Sequence, residues 1–98
     1  MKMVFLSYKE SQHDEVMEIF EDLEVAAYTR FNQVQAKSRE GRPRMGTHIW
    51  PGFNSAVLLA IEAEKVPELM ARIREFNQKT EFEGISAMCW ALEEACWK

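Results

Sequence analysis

Histidine and cysteine are the side chains best suited to bind zinc or copper, and this chain has few of them. The 98 residues contain two histidines and two cysteines. Cys89 and Cys96 form no CxxC pair, so neither a structural zinc site nor a thioredoxin-type redox centre is indicated. Their seven-residue separation would put them on opposite faces of a continuous strand, which disfavours a disulfide. His48 and Cys96 remain as candidate metal ligands, although a lone loop histidine is more commonly a solvated polar residue.

The chain has no catalytic signature. No Ser/His/Asp or Cys/His set has a recognisable spacing, and no glycine-rich loop follows a strand and opens a helix. The carboxylates lie mainly on the outer faces of the predicted helices. The sequence therefore predicts a protein that works by binding and is not an enzyme.

Residues 37–54, KSREGRPRMGTHIWPGFN, are the most distinctive segment and are called the basic arm below. The arm has four basic residues and one acid, a net +3, in a chain whose net charge is −4. Connections of more than about 12 to 15 residues are uncommon unless they bind or regulate something. Trp50 and Phe53 add apolar groups within a basic rim, which suits a protein interface. The alternative is that these aromatic groups fold against the sheet edge or a neighbouring subunit.

Composition and charge bound the class of protein. A length of 98 residues with 47% hydrophobic content predicts a single domain over residues 1–98. The net charge of −4 and the pI near 5.2 disfavour nucleic-acid binding, in spite of the basic arm. No apolar run approaches the ~18 residues of a membrane span, and the apolar start is too short for a signal peptide. We expect a cytoplasmic protein that does not insert into a membrane.

Hydrophobic periodicity predicts the element order β-α-β-β-α-β. Ser11 and Asp14 predict a capping box at the start of the first helix, and Pro67 marks the start of the second. The second strand is the most polar, which is typical of a sheet edge. Along it, one side is predicted to carry Tyr28, Arg30, Asn32 and Val34. The four strands are predicted over residues 3–8, 25–35, 55–61 and 85–92.

This order is that of the α+β ferredoxin-like fold, a four-stranded antiparallel sheet with two helices on one face and here a long β2–β3 loop. The third and fourth strands are apolar on both sides, whereas a sheet with one wet face should alternate apolar and polar residues. We therefore expect a homo-oligomer that packs sheet faces together. The alternative is that residues 93–98 fold back as a lid, with Trp97 against the sheet.

The residues of the arm from Gly41 to Gly52, GRPRMGTHIWPG, resemble the stretch G-R-Q-K-G-H-T-E-x-Y-R-G of the P-II nitrogen-regulatory family. Two of the identities are those end glycines, and the others are Arg42 and Thr47. Arg44 stands in place of a lysine and Trp50 in place of a tyrosine. The order of strands and helices also matches the family over nearly the whole chain, with the arm at the position of the family's T-loop.

The resemblance implies a signal-transduction protein that is a homotrimer, with its three sheets facing a central axis. Its loops would sense a small molecule at the subunit clefts and insert into a partner protein, and relatives of this kind serve transporters or metal-handling systems. The implied ligand- or partner-binding residues are Gly41, Arg42, Arg44, Thr47, His48, Trp50 and Gly52 in the arm, with Gly84 in the cleft.

The departures from the family pattern fall on its ligand-binding positions. Pro43 replaces a glutamine that helps to hold a magnesium-nucleotide and a 2-oxo acid. Glu81 and Glu83 lie in the segment that matches the family's phosphate loop, where they would repel phosphate. Ser55 takes the place of the tyrosine that is uridylylated. The standard binding of ATP and 2-oxoglutarate is therefore not expected, and the effector is left unspecified.

A second family shares the trimeric ferredoxin-like architecture, the metal-responsive CutA type of heavy-metal tolerance. In that interpretation His48 and Cys96 would be the metal ligands. Binding of nucleotide or of metal would distinguish the two interpretations, and binding of neither would indicate an adaptor that recognises only a partner protein.

Overall fold

The computed structural model describes residues 1–36, 53–81 and 83–98. Its four strands form one antiparallel sheet in the order β2-β3-β1-β4, so the predicted α+β ferredoxin-like topology is confirmed, with the polar second strand at an edge. A short 3-10 turn precedes each helix. The elements are β1 (Lys2–Lys9), α1 (His13–Asp22), β2 (Thr29–Val34), β3 (Asn54–Ile61), α2 (Val66–Lys79) and β4 (Ser86–Ala91).

The core lies between the helices and one face of the sheet. Alternate residues of the two central strands point towards the helices, as period-2 side-chain geometry requires, and the cross-strand pairs Val4–Leu59 and Leu6–Val57 are fully enclosed. The apolar stripe of each predicted helix closes over them. The buried helix residues are Val16, Ile19 and Phe20 of α1 and Leu69 and Ile73 of α2.

The opposite face of the sheet is apolar too, and it is called the open sheet face below. Cross-strand pairing brings Phe31, Met88 and Trp90 to it, and these side chains are 45%, 56% and 48% exposed. The predicted two-sided pattern of the sheet is therefore present. The lid alternative is wrong, because residues 93–98 are exposed and Trp97 is 66% exposed instead of lying against the sheet.

Strand β2 differs from its prediction at its start and in the alternation of its side chains. It begins at Thr29, four residues after the predicted start. Phe31 pairs with Ala56 and Val34 with Asn54, so three steps on β2 match two on β3. Gln33 takes a positive φ of 54° at this bulge, which inserts one residue and reverses the alternation. Val34 consequently lies on the same face as Phe31, and the predicted side shared with Arg30 is wrong at this position.

The two ends of α1 differ in how they are capped. The predicted capping box does not form, because Ser11 lies in the 3-10 turn and the cap residue Gln12 makes no side-chain cap bond. At the other end, the amides of Glu24 and Val25 donate to the carbonyls of Glu21 and Phe20, and Glu24 has a φ of 57°. These are the two hydrogen bonds and the left-handed residue of a Schellman motif, which turns the chain sharply out of the helix.

Within the described ranges, neither helix is long and apolar enough to cross a membrane.

Candidate functional site at the root of the basic arm

The two strands that flank the basic arm in sequence meet at one end of the sheet. Val34, at the end of β2, pairs with Asn54, at the start of β3. Asn54 also pairs with Lys9, the last residue of β1, and its side-chain amide donates to Ser7 Oγ at 3.2 Å. The root of the arm therefore lies beside the corner between β1 and α1, in a part of the sheet that is fixed by ladders on both sides of β3.

A charged network fastens this root. Glu10 lies in the turn after β1, and its carboxylate accepts hydrogen bonds from Arg30 Nη2 at 2.8 Å and from Ser55 Oγ. Arg30 Nη2 also reaches Ser55 Oγ at 3.4 Å, and the Glu10 amide donates to the Phe53 carbonyl at 3.0 Å. The hydroxyl of Ser55 is fully buried, so its partners are needed to offset the desolvation of a polar group. The network joins three separate elements to the point where the arm re-enters the sheet.

A second network joins the loop that precedes β4 to the same corner. Lys9 Nζ donates to Glu83 Oε2 at 2.8 Å, and Gln12 Nε2 donates to Glu83 Oε1 at 3.2 Å. Glu83 is thus neutralised by a lysine from the strand next to the arm root. The loop of Gly84 and the root of the arm therefore meet at one end of the sheet, although they are far apart in sequence.

Tyr8 and His13 form a neutral hydrogen-bonded pair beneath this corner. The Tyr8 hydroxyl and His13 Nδ1 form a hydrogen bond of 2.7 Å, and the two rings stack with their centroids 5.9 Å apart. Burial raises the pKa of Tyr8 to about 12, although the charge of Arg30 opposes this rise. Burial, and then the positive charge of Arg30, lower the pKa of His13. Both shifts favour the uncharged forms of the two side chains, and the hydrogen bond joins them in these forms.

Gly84 has a packing role that its sequence context did not predict. A Cβ at this position would lie 2.8 Å from Asn77 Oδ1. That oxygen accepts from the Ile85 amide at 2.8 Å, and Asn77 Nδ2 donates to the Ile85 carbonyl at 3.0 Å. The absence of a side chain at Gly84 lets the asparagine clamp the loop onto the end of α2.

Most of the sequence-predicted site residues lie outside the described residues, as does the metal candidate His48. Of those described, Gly84 lies beside the second network, and Cys96 is an exposed free thiol in the C-terminal tail. The described residues contain no group of three or more His, Cys, Asp or Glu side chains placed to hold a metal ion. The residues outside the described part are Gly41, Arg42, Arg44, Thr47, His48, Trp50 and Gly52.

Sequence reasoning missed the residues that build the root. Glu10, Arg30 and Ser55 come from three separate segments, and none belongs to a short motif. One signal was present: Arg30 lies in a polar strand next to the arm, where a buried or half-buried charge requires a partner.

Comparisons with solved structures identify the architecture. A PII-like signaling protein from Thermus thermophilus has a TM-score of 0.66 at 15% identity, with 91% of this chain and 82% of that chain covered. CPII from Thiomonas intermedia, a nitrogen regulatory PII-like protein, has a TM-score of 0.66 in its apo form, at 11% identity over 91% of this chain and 87% of that chain. This chain has the PII-like fold. No protein-family model and no curated protein matches the sequence.

The PII-like fold agrees with the family resemblance drawn from the arm sequence. The structure of CPII bound to ADP and bicarbonate is also similar to this chain, with a TM-score of 0.67 at 13% identity over 91% of this chain and 84% of that chain. At these identities the comparisons establish the fold. In this chain the arm follows β2 and precedes β3 in sequence, and Glu10 pairs with Arg30 beside the start of β3.

Proposed function

We propose that this chain is a non-enzymatic regulatory protein of the PII-like kind, a cytoplasmic homotrimer that binds a partner protein through the basic arm. The observation that carries the proposal is the open sheet face. A lone subunit would present Phe31, Met88 and Trp90 to water on one surface, and contiguous apolar patches of this kind mark association sites. Three sheets packed around an axis would cover that face.

The networks at the arm root support a binding role for the arm. Glu10 receives hydrogen bonds from Arg30 and Ser55, and its amide holds the Phe53 carbonyl. A loop that emerges from a rigid root can present the same residues to a partner each time. We assign the partner contacts to Gly41, Arg42, Arg44, Thr47, His48, Trp50 and Gly52, with the arginines supplying charge and Trp50 an apolar anchor.

The partner class that we propose is a membrane transporter, which follows from the family resemblance. The effector is proposed to enter the cleft between the arm root and the loop of Gly84. There, Lys9 is engaged by Glu83, so an anionic effector has to displace a carboxylate from its lysine. Such competition weakens anion binding and distinguishes this cleft from a simple phosphate loop.

Two measurements test the proposal. Sedimentation equilibrium at micromolar concentration is expected to give the mass of three chains, and a stable monomer would refute the assembly. Calorimetry with ATP, with ADP plus bicarbonate, and with copper or zinc separates the ligand classes. Nucleotide heat without metal heat supports the PII-like assignment, whereas metal heat alone would replace it with the metal-responsive alternative of His48 and Cys96. ADP and bicarbonate are included because CPII is solved with them.

A further inference from the structure

The outer surface of α1 carries an open groove of about 460 Å³, and none of the arm-root residues Glu10, Arg30 and Ser55 lines it. One side is a stripe on the helix, Asp14, Met17, Glu18 and Glu21, whose spacing of three and four residues puts them on one face. The other side is the connection to β2, which contributes Val25 and Tyr28. We call these six residues the acidic groove.

The floor of the acidic groove is apolar and well fixed. The Tyr28 hydroxyl donates to Met17 Sδ at 3.2 Å, and the Tyr28 ring packs on Phe20 at a centroid distance of 5.5 Å. Val25 is held by the Schellman hydrogen bond to the Phe20 carbonyl, 2.9 Å long. Tyr28 nevertheless remains 43% exposed, so an aromatic face is available at a position that the backbone holds in place.

The rim of the acidic groove has unbalanced charge. Asp14, Glu18 and Glu21 take part in none of the ion pairs formed among the described residues. A comparable groove on α2 is lined by Glu68, Arg72, Arg74 and Glu75, where two acids balance two bases. The groove on α1 thus combines one sign of charge with an apolar floor, and the groove on α2 does not.

We propose that the acidic groove docks a short basic segment of a partner protein, bound in an extended conformation with an aliphatic side chain between basic ones. The stripe from Asp14 to Glu21 spans about 10 Å at a helical rise of ~1.5 Å per residue, which matches three to four residues of extended chain at about 3.3 Å each. The basic side chains pair with the carboxylates, and one of them covers the face of Tyr28 in a cation–π contact.

This docking surface is separate from the proposed assembly. The acidic groove lies on the helix side of the molecule, whereas Phe31, Met88 and Trp90 lie on the open sheet face. A trimer closed by its sheet faces therefore leaves three acidic grooves accessible. Failure of either proposal would not affect the other.

The test uses the full chain and the synthetic peptide Ac-Arg-Lys-Leu-Arg-Lys-NH2, with binding followed by calorimetry and by amide chemical shifts. We expect saturable binding whose shifts centre on Met17 and Tyr28 and whose affinity falls with added salt. Glu18→Lys and Glu21→Lys should each weaken binding roughly threefold to tenfold, since each replaces an attraction with a repulsion. Glu68→Lys and Glu75→Lys are the matched controls on α2 and should leave the affinity unchanged.

Three results would overturn the proposal. Equal binding by Glu18→Lys and the unaltered chain would place the peptide elsewhere. Equal binding of a peptide with serine in place of leucine would show that charge alone acts and that the apolar floor has no role. Markedly tighter binding after Arg42→Ser and Arg44→Ser would identify the chain's own arm as the occupant in place of a partner protein. Thermal melts of each variant verify that the fold is intact.

Discussion

The open sheet face gives the most decisive prediction, the effect of Trp90→Lys on assembly. Trp90 is 48% exposed, so covering this exposed part in an interface is worth about 1 kcal/mol, roughly half of the ~1.5–3 kcal/mol for burying a whole large side chain. An ammonium group forced into that interface without a partner costs roughly 1 kcal/mol or more in addition. The two terms add to about 2 kcal/mol for each subunit, so the proposed trimer loses about 6 kcal/mol over its three copies. This loss corresponds to a roughly ten-thousandfold rise in the dissociation constant.

The assay for this prediction is sedimentation velocity over a concentration series from about 1 to 100 μM. A rise of this size in the dissociation constant should bring the dissociation of the variant into this range. The unaltered chain is expected to sediment as a trimer throughout, and Trp90→Lys as a monomer at the dilute end. Trp97→Lys is the matched control, because Trp97 is even more exposed but lies in the C-terminal tail. If Trp90→Lys and Trp97→Lys sediment alike, the open sheet face does not form the interface.

Four further predictions concern single residues and use thermal or chemical unfolding. Ser55→Ala should lower stability by about 1 kcal/mol, because it removes a buried hydrogen bond to a half-exposed carboxylate; an unchanged melting temperature would contradict the arm-root network. Glu24→Gly should raise stability by roughly 0.5–1 kcal/mol, since glycine adopts the positive φ without strain, and a loss on substitution would count against the Schellman cap. Gly84→Ala should cost about 1 kcal/mol through its clash with Asn77, and the additional change Asn77→Ala should make alanine at 84 nearly neutral. The pKa of His13 is lowered in the folded chain, so the unfolded chain binds a proton more readily. The contribution of His13 to folding stability is therefore complete above about pH 6.5 and falls as the pH drops towards the folded pKa. His13→Gln should lose less stability between about pH 7 and pH 5.5 than the unaltered chain, and equal losses would contradict the lowered pKa of His13.

Much of the fold was predictable because its signals are local. The helical stripes on α1 and α2 specify which helix faces are buried, and the structure encloses these faces. The nearly continuous apolar run of β3 predicts a strand, and a strand forms there. The bulge at Gln33 was not predictable, because a polar edge strand has little burial on either side to fix its register. Its consequence, the placement of Val34 beside Phe31, depends on pairing with β3 that the sequence pattern does not specify.

The candidate site was less predictable than the fold. Glu10 and Arg30 are 20 positions apart, and Glu10 and Ser55 are 45 apart, so their meeting depends on the strand order. Lys9 and Glu83 are separated by 74 positions and meet for the same reason. The resemblance of the arm to a known family predicts where a partner or ligand binds, but it could not predict which side chains hold the arm's root.

The bulge in β2 also has a consequence for solubility. An edge strand with straight, unpaired amides and carbonyls is a template on which other chains can add, and a bulge makes that template irregular. Gln33 interrupts β2 in this way, next to the exposed ring of Phe31. The irregular edge therefore disfavours the addition of further strands to this sheet, and with it the growth of fibrils.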